Sequence, residues 1–330
     1  MFPRNIVLSL ASTFVLRNIN PLFLSLVFVS SPLFAATVPA IPVEQNTFFK
    51  GKQLKTSSLP ALPVALQGAT ATTIDGQIFV HGTDGSKGRA LGYLFRLSKD
   101  QQSWMMLSDR FLPREHGAML SYKNRLWILG GRTQKGPVPT VEIYDLATGS
   151  ITFGKDLPTP RYFASAAVYG GYFFVAGGTM GWGRQATVEI YDPKNDQWFL
   201  GNPLKQARDT QLAVVDGQLL AFGGYTGKDV SRMIERLDPK TLTWHAYAEM
   251  PVETSAYSIV VMDQMVYTFG DFHQLDRILR FEPLKKEWRW LKSDFTPRRR
   301  AAAVGINGDV LLIGGKSDAY LDTVETLSVP

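Results

Sequence analysis

The chain has 330 residues, of which 45% are hydrophobic and only 19% are charged, so it can bury a large core and is not a disordered chain. Its formal net charge of +6 is modest, and its basic residues are not clustered strongly enough to indicate a nucleic-acid-binding surface. The absence of cysteine excludes disulfides, thiolate metal sites and cysteine nucleophiles. The fold must therefore be held together by burial of apolar surface.

The first forty residues have the composition of a targeting segment. Arg4 and Arg17 give a basic start, residues 22–29 are apolar, and small residues follow at Ala35 and Ala36. The apolar run is shorter than the roughly 20 residues that a membrane-spanning helix needs. We expect residues 1–40 to be a signal peptide or a signal anchor. After cleavage, the mature chain would have no membrane span and would be periplasmic or secreted.

A repeat of 44 to 48 residues follows. Each copy contains a short apolar run that ends at glycine, as in Leu-Trp-Ile-Leu-Gly-Gly at residues 126–131. The glycines that mark the repeat are Gly82, Gly130, Gly177, Gly223, Gly270 and Gly314. In two copies the usual Gly-Gly pair is changed, because His81 precedes a single glycine in the first and Asp271 follows the glycine in the fifth. We expect these two corners to be shaped differently.

A second strand pattern and then an aromatic residue follow each glycine corner. Thr-Val-Glu-Ile-Tyr-Asp occurs at residues 140–145 and again at 187–192, and its alternation of apolar and polar residues is typical of a half-buried strand. The aromatic residues, which we expect to pack between neighbouring repeats, are Trp104, Phe153, Trp198, Trp244 and Trp288. The spacing from strand end to aromatic is seven residues in every copy except the second, which is longer.

This pattern resembles the kelch repeat, with an opening Pro-Arg, a Gly-Gly corner, a Tyr-Asp strand end and a tryptophan. The resemblance implies an all-β fold, a six-bladed β-propeller with four antiparallel strands in each blade. We expect the propeller to occupy residues 41–330, with blades at about 66–110, 111–157, 158–204, 205–251, 252–296 and 297–330. The last repeat lacks its fourth strand, so residues 46–56 are predicted to complete it and close the ring, with Phe48 or Phe49 in the aromatic position.

In a kelch propeller, the segment that enters each innermost strand lies on the same face as the loop that leaves the glycine corner. The entering segments carry Arg114, Arg161, Arg208, Arg298 and Arg299, together with Tyr162 and Glu115. Arginine binds carboxylates with two parallel hydrogen bonds, so the pattern indicates an anion-attracting face. The alternative is structural, because the Pro-Arg belongs to the repeat and each arginine can bond to blade carbonyl groups.

The loops after the glycine corners add further candidates to this face. They are Arg132, Trp182, Arg184, Tyr225, Phe272, His273 and Tyr320. Aromatic side chains beside arginines suit a sugar or an acidic peptide, whereas local loop packing is the structural alternative. We therefore expect a monomeric binding module that recognises an anionic glycan or an acidic protein segment, without nucleic acid as a partner.

The sequence contains no pattern that requires a metal or another cofactor. His81, His116 and His273 map near the same face, but they come from blades one, two and five. They do not have the spacing of a metal site, and His245 is expected near the outer rim. No phosphate-binding loop or dinucleotide motif is present, because the glycines belong to strand corners. We expect neither a metal nor another cofactor.

Two groups of kelch enzymes bear on function. Galactose oxidase-like chemistry needs a tyrosine cross-linked to cysteine and is excluded here. The chain is similar in size, export and blade number to periplasmic sialic acid mutarotases, although the long insertions near the site of those enzymes are missing. The resemblance implies a mutarotase or epimerase as one alternative, with Glu115 or Asp271 as acid–base candidates. A scaffold in a cell-envelope complex is another.

Overall fold

The structure, a computed structural model, describes residues 53–84 and 90–330. The predicted targeting segment and Phe48 and Phe49 lie outside these residues. In the described residues, strands form six four-stranded antiparallel sheets and one small hairpin. Apart from residues 85–89, no helix between residues 53 and 330 is long and apolar enough to cross a bilayer.

The strands follow one another around the ring in chain order after an initial strand β1 (Lys55–Leu59). Blade one consists of β2 (Gln67–Ile74), β3 (Gln77–Thr83), β4 (Gly92–Leu97) and β5 (Trp104–Phe111). Blade two consists of β6 (Ala118–Tyr122), β7 (Arg125–Leu129), β10 (Val141–Asp145) and β11 (Ile151–Phe153). The hairpin of β8 (Arg132–Thr133) and β9 (Gly136–Pro137) lies between β7 and β10 in the chain.

Blades three and four have the same order from inside to outside. Blade three consists of β12 (Ser165–Tyr169), β13 (Tyr172–Ala176), β14 (Val188–Asp192) and β15 (Gln197–Leu200). Blade four consists of β16 (Gln211–Val215), β17 (Gln218–Tyr225), β18 (Val230–Leu237) and β19 (Trp244–Glu249). Blade five consists of β20 (Ser258–Met262), β21 (Met265–Phe269), β22 (Ile278–Glu282) and β23 (Glu287–Leu291). Blade six consists of β24 (Ala302–Ile306), β25 (Asp309–Ile313), β26 (Val324–Ser328) and β1.

The ring closes through the last blade. Strand β1 pairs antiparallel with β26, from Lys55 opposite Ser328 to Leu59 opposite Val324. The innermost strand β2 contacts both β6 and β24, so the innermost strands form an unbroken ring. The prediction of an N-terminal closing strand is confirmed, although this strand begins at Lys55 and so overlaps only the end of the predicted segment.

Buried side chains fill the space between neighbouring blades. Each pair of adjacent blades shares one apolar cluster, such as that of Phe79 and Leu94 in blade one with Leu126 and Ile128 in blade two. Indole groups reinforce these contacts, because Trp198 Nε1 donates a hydrogen bond to the Lys155 carbonyl oxygen at 2.9 Å. Trp104 and Trp288 make equivalent bonds to carbonyl groups that precede their blades. Packing between blades therefore stabilises the ring, as the repeat predicts.

Blade two departs from the predicted aromatic pattern. Phe153 is 73% exposed and does not pack between blades, so this prediction is wrong. Ile151 pairs with Tyr144 in the register that Trp198 and Tyr191 have in blade three. The spacing is thus seven residues here also, and an isoleucine occupies the position of the tryptophan.

Candidate functional site

The four arginines of the repeated Pro-Arg position are interior residues of the blades. Arg114, Arg161, Arg208 and Arg298 are at most 1% exposed. Arg114 Nη1 donates hydrogen bonds to the carbonyl oxygens of Gly130 at 2.7 Å and Thr140 at 2.8 Å, and the other three make similar bonds to carbonyls at their own glycine corners. The prediction that these four face a ligand is corrected, because their guanidinium groups are enclosed by backbone.

A glutamate neutralises each of these arginines. The pairs are Arg114–Glu142, Arg161–Glu189 at 2.8 Å, Arg208–Glu235 at 2.6 Å and Arg298–Glu325. The Glu142 carboxylate also accepts the backbone N–H of Leu112 at 3.1 Å, which fixes the segment that arrives from blade one. Buried charges need such pairing, so these residues form the internal frame of the blades.

Blades one and five lack this pair and replace it in two ways. In blade one, Leu66 and Phe95 occupy the two positions and join an apolar cluster. In blade five, Arg277 Nη1 donates to Asp271 Oδ2 at 2.8 Å, and Asp271 Oδ1 accepts the N–H of Ser255 at 2.9 Å. Asp271 is therefore buried and paired at the corner of its blade, and it is corrected as a candidate for acid–base chemistry.

A cavity of about 750 Å³ occupies the end of the central channel where the innermost strands begin, which we call the mouth. Its wall is built largely from small residues of those strands, including Ala69, Ala118, Ala166 and Ala302. Because these side chains are short, space remains at the axis for charged and aromatic groups from the entering segments and corner loops. A second cavity of about 330 Å³ lies further along the same strands and is lined mostly by apolar residues.

A left-handed backbone residue precedes the innermost strand in several blades and lines the mouth. His116, Phe163, Ala256 and Arg300 have φ values between 53° and 58°, and each follows the repeat position of the buried arginine by two residues. The Arg300 N–H donates to the Ala256 carbonyl oxygen at 2.8 Å, which links the two blades at this point. Arg300 therefore lies at the cavity while Arg298 lies within the blade.

The Arg300 guanidinium lies 4.3 Å from the centre of the Phe163 ring. Burial lowers its pKa, which the charge of Asp209 opposes. Among the described residues, its side chain has neither a hydrogen-bond partner nor an ion pair. An arginine with these surroundings stacks on an aromatic ring, while its N–H donors remain available to a ligand in the cavity.

A second arginine, Arg184, is held in the cavity wall by its loop. The buried Thr179 hydroxyl donates to the Gly183 carbonyl and accepts the Gly181 N–H, which fixes the loop between β13 and β14. Arg184 Nε lies 2.8 Å from Asp209 Oδ1, and its guanidinium lies 4.9 Å from the Tyr225 ring centre. The predicted residues Arg184 and Tyr225 are thus brought together at the cavity.

Asp209 is the central acidic group of the mouth. Its backbone N–H donates to the Tyr225 carbonyl oxygen at 2.8 Å, and a Cβ on Gly224 would lie 1.5 Å from the Asp209 carbonyl oxygen. Only glycine fits at position 224, where φ is 107°. Burial raises the pKa of the Asp209 carboxyl to about 7, although Arg184 and Arg300 oppose the rise.

His116 is a neutral group in the same wall. Its ring lies 4.2 Å from that of Phe163, and its Nε2 lies 3.6 Å from Glu115 Oε2. Burial, with the charges of Arg300 and Arg132, lowers the pKa of His116 to about 3. Glu115, the other candidate for acid–base chemistry, is partly exposed beside this imidazole.

Further pairs of a cation and an aromatic ring surround the mouth. The Arg132 guanidinium lies 5.5 Å from the Tyr162 ring centre and Arg299 lies 4.7 Å from that of Phe272. Lys316 lies 5.1 Å from the ring of Tyr320, and Phe272 packs edge-on against His273, which lines the cavity. Trp182 is 82% exposed on the loop before Arg184 and is not part of the cavity wall.

Sequence reasoning missed three residues of the cavity wall, Arg300, Phe163 and Asp209. The first two lie one position beyond the pair of residues that the repeat singled out in each blade. In blade four the buried Arg208 lies 15 residues before Gly223, whereas the buried arginines of the other blades lie 16 residues before their glycines. The residue after it, Asp209, therefore does not occupy the position that the repeat singled out. The left-handed residue that aims these side chains has no signal in the sequence, because Gly68 is the only glycine at that position.

Within residues 53–84 and 90–330, no group of three or more histidine, aspartate or glutamate side chains is arranged to hold a metal ion. His81, one of the histidines mapped to this face, is instead buried in blade one, 5.3 Å from the Phe111 ring.

The repeat and the ring together define a kelch-type β-propeller with a cavity at one end of its axis. A model of the kelch motif matches residues 160–205 and 208–251, which form blades three and four. The solved structure of YjhT superposes with a TM-score of 0.69 over 81% of this chain and 95% of that chain, at 14% identity. This likeness shows the fold.

Curated relatives are similar to this chain over part of its length. Kelch-like protein 15 of Danio rerio is 24% identical over 244 residues, which are 66% of this chain and 40% of that protein. Alpha-scruin of Limulus polyphemus is 26% identical over 197 residues, which are 55% of this chain and 22% of that protein. The matches span less than half the length of either relative. The chain is a six-bladed β-propeller whose blades three and four match the kelch motif, and it is similar to kelch-repeat proteins.

Proposed function

We propose that this propeller is a binding module whose mouth holds an anionic glycan through Arg300. Arg300 carries the proposal because it is partly buried in the cavity wall, stacks on Phe163 and has no carboxylate partner among the described residues. Its position contrasts with that of Arg298, whose charge is satisfied by Glu325 inside the blade. A guanidinium that makes no direct ion pair in a confined cavity favours an anionic ligand, although the charge of Asp209 acts on it from the same cavity.

The size and chemistry of the cavity support a sugar acid. A volume of about 750 Å³ falls in the range of about 300–1,000 Å³ typical of small-molecule sites. Phe163, Tyr225 and Phe272 supply aromatic surface in the wall, while Ser255 and Thr70 supply hydroxyl groups. Aromatic faces and hydroxyl groups suit the apolar and polar faces of a sugar ring, and Arg300 suits its carboxylate.

Calorimetry on the purified protein tests the proposal. The ligands are glucuronate, galacturonate and N-acetylneuraminate, with glucose and galactose as neutral controls, at low and moderate salt. We expect an acidic sugar to bind with an affinity that falls as salt rises, and we expect Arg300→Ala to weaken it at least tenfold, since a charge-assisted hydrogen bond contributes about 1.5–3 kcal/mol.

The matched control is Arg125→Ala. Arg125, the first residue of β7, is paired with Asp145 at the end of the blade opposite to the mouth, and its replacement changes the net charge equally. Binding that is unchanged in Arg300→Ala, or lost equally in both variants, would reject the proposed site.

An acidic protein segment is the second candidate ligand. The pairs Arg132–Tyr162, Arg299–Phe272 and Lys316–Tyr320 extend beyond the cavity and surround it, which exceeds what a single sugar would contact. Arginine and tyrosine are enriched at protein interfaces. Binding of fluorescent acidic peptides that Arg299→Ala weakens, without binding of any acidic sugar, would favour this candidate.

A further inference from the structure

The Asp209 carboxyl group shares its surroundings with the anion that we propose for the mouth. It lines the cavity, lies 2.8 Å from Arg184 Nε through Oδ1, and interacts electrostatically with Arg300. The side chains of Asp209 and Arg184 are only about one-fifth exposed. A ligand anion that reaches Arg300 therefore enters a confined space that already contains a carboxylate.

Other charged groups face this cavity from each element packed around Asp209. Lys228 and Asp229 come from the loop between β17 and β18, and Glu253 comes from the segment before β20. Tyr225 lies beneath Arg184, and His116 contributes a neutral imidazole from the segment before β6. Lys228, Asp229 and Glu253 are exposed, so solvent screens them more than it screens Asp209.

We infer that an anion binds at the mouth together with a proton, and that Asp209 is the group that takes up this proton. The inference rests on the proposed function, since it concerns the same cavity and the same Arg300. Two carboxylates close together in a confined site do not both remain ionised, so the arriving anion favours the protonated form of Asp209. The protonated carboxyl then releases Arg184 and can itself donate a hydrogen bond to the anion.

The raised pKa of Asp209, about 7, places this exchange near neutral pH. Below pH 7 the group is already protonated in the free protein, so affinity should change little with pH. Above pH 7 the proton must be taken up on binding, so affinity should fall by up to about tenfold per pH unit for one linked proton.

The experiment measures glucuronate binding to the full chain by calorimetry at pH 5, 6, 7 and 8, in imidazole and in Tris, neither of which is an anion, at the last two. The ionisation enthalpies of the two buffers differ, so the difference in observed heat reports the protons taken up per anion bound. We expect uptake that approaches one proton at pH 8, together with an affinity at pH 8 at least fivefold weaker than at pH 6.

Two variants complete the test. Asp209→Asn, which keeps the shape of the side chain, should abolish the proton uptake and make affinity independent of pH between 6 and 8. Asp229→Asn makes the same chemical change in the same cavity and should retain both effects. The proton count on the unmodified protein tests the inference even if Asp209→Asn folds poorly.

The outcomes separate the inference from the proposed function. Glucuronate binding without proton uptake at pH 8, or uptake that persists in Asp209→Asn, would overturn the inference and leave the Arg300 site standing. If none of glucuronate, galacturonate and N-acetylneuraminate binds even at pH 5, where Asp209 is neutral, the proposed sugar-acid site and the inference both fail.

Discussion

Three consecutive arginines, at positions 298 to 300, have three different surroundings. Arg298 is buried and paired with Glu325, Arg299 lies over Phe272 at the rim, and Arg300 enters the cavity. The left-handed backbone at Arg300, with φ of 53°, turns the chain at this point. The same type of side chain thus lies inside the blade, at the rim or in the cavity wall, according to the backbone geometry within two residues.

Removal of a frame carboxylate should destabilise the protein strongly. Glu142→Ala would leave the Arg114 charge buried without its counter-ion, a change that typically costs about 3–5 kcal/mol. The midpoint and slope of urea unfolding give this value, and partly exposed Glu115→Ala serves as the control with a change near zero. Equal midpoints for the two variants would show that the Arg114–Glu142 pair does not stabilise the blade.

His81 should make stability depend on pH. Burial in blade one, with the charge of Arg114, lowers the pKa of His81 to about 3, so the folded protein keeps the imidazole neutral. The unfolded chain binds a proton below its ordinary pKa of about 6.5, so this group contributes no pH dependence above pH 6.5 and progressively destabilises the fold as pH falls toward 3.

His81→Leu places an apolar residue where the other blades have one and should remove this dependence. The difference in unfolding free energy between the variant and the unmodified protein should then grow in favour of the variant by about 1.4 kcal/mol per pH unit below pH 6. Urea unfolding at pH 7, 6, 5 and 4 measures it. A difference that is constant across these pH values would contradict the account of His81.

At the scale of elements, strand β1 joins residues that are far apart in the chain. Its pairing with β26 and the hydrogen bond from the Thr326 hydroxyl to the Ser57 carbonyl oxygen, at 3.3 Å, close the last blade. Because β1 is an outermost strand, alternate N–H groups point to β26 and to the outside. Closure therefore depends on only some of its backbone donors.

Two neighbouring proline substitutions should lower stability by different amounts. Of Thr56→Pro and Ser57→Pro, one removes an N–H that donates to β26 and the other removes an N–H that faces outward. We expect the first to lower stability by about 3 kcal/mol and the second by much less, as measured by thermal unfolding. Equal and small effects from both would show that this strand does not hold the ring closed.

Prediction from sequence succeeded where the repeat imposes the structure. A glycine corner, a strand end and a tryptophan at the position of Trp198 recur in blades one, three, four and five. The closing strand was predicted because the last repeat lacks its fourth strand. The interpretation of Phe153 failed because this residue was chosen for its aromatic ring, whereas the seven-residue spacing from Tyr144 identifies Ile151. The repeat spacing predicts which position lies between the blades, but it does not predict which residue type occupies that position.

At the scale of the whole molecule, the candidate site lies at the central channel and the structural arginine–glutamate pairs lie inside the blades. Small residues such as Ala118 and Ala301 line the axis and leave a cavity, while the arginine–glutamate pairs lie within the blades around it. The candidate site was predicted only in part: Arg184, Tyr225 and His273 were identified, but Arg300 and Asp209 were not. Site geometry depends on how six loops meet at the axis, and no single repeat encodes that meeting.

A crystal structure of the protein with the tightest-binding acidic sugar tests the central claim most directly. We predict the sugar at the mouth, with its carboxylate oxygens about 2.7–3.2 Å from the Arg300 guanidinium and its ring against the aromatic wall beside Phe163. A sugar bound at the opposite end of the channel or on the outer rim of the blades, with Arg300 untouched, would contradict the account.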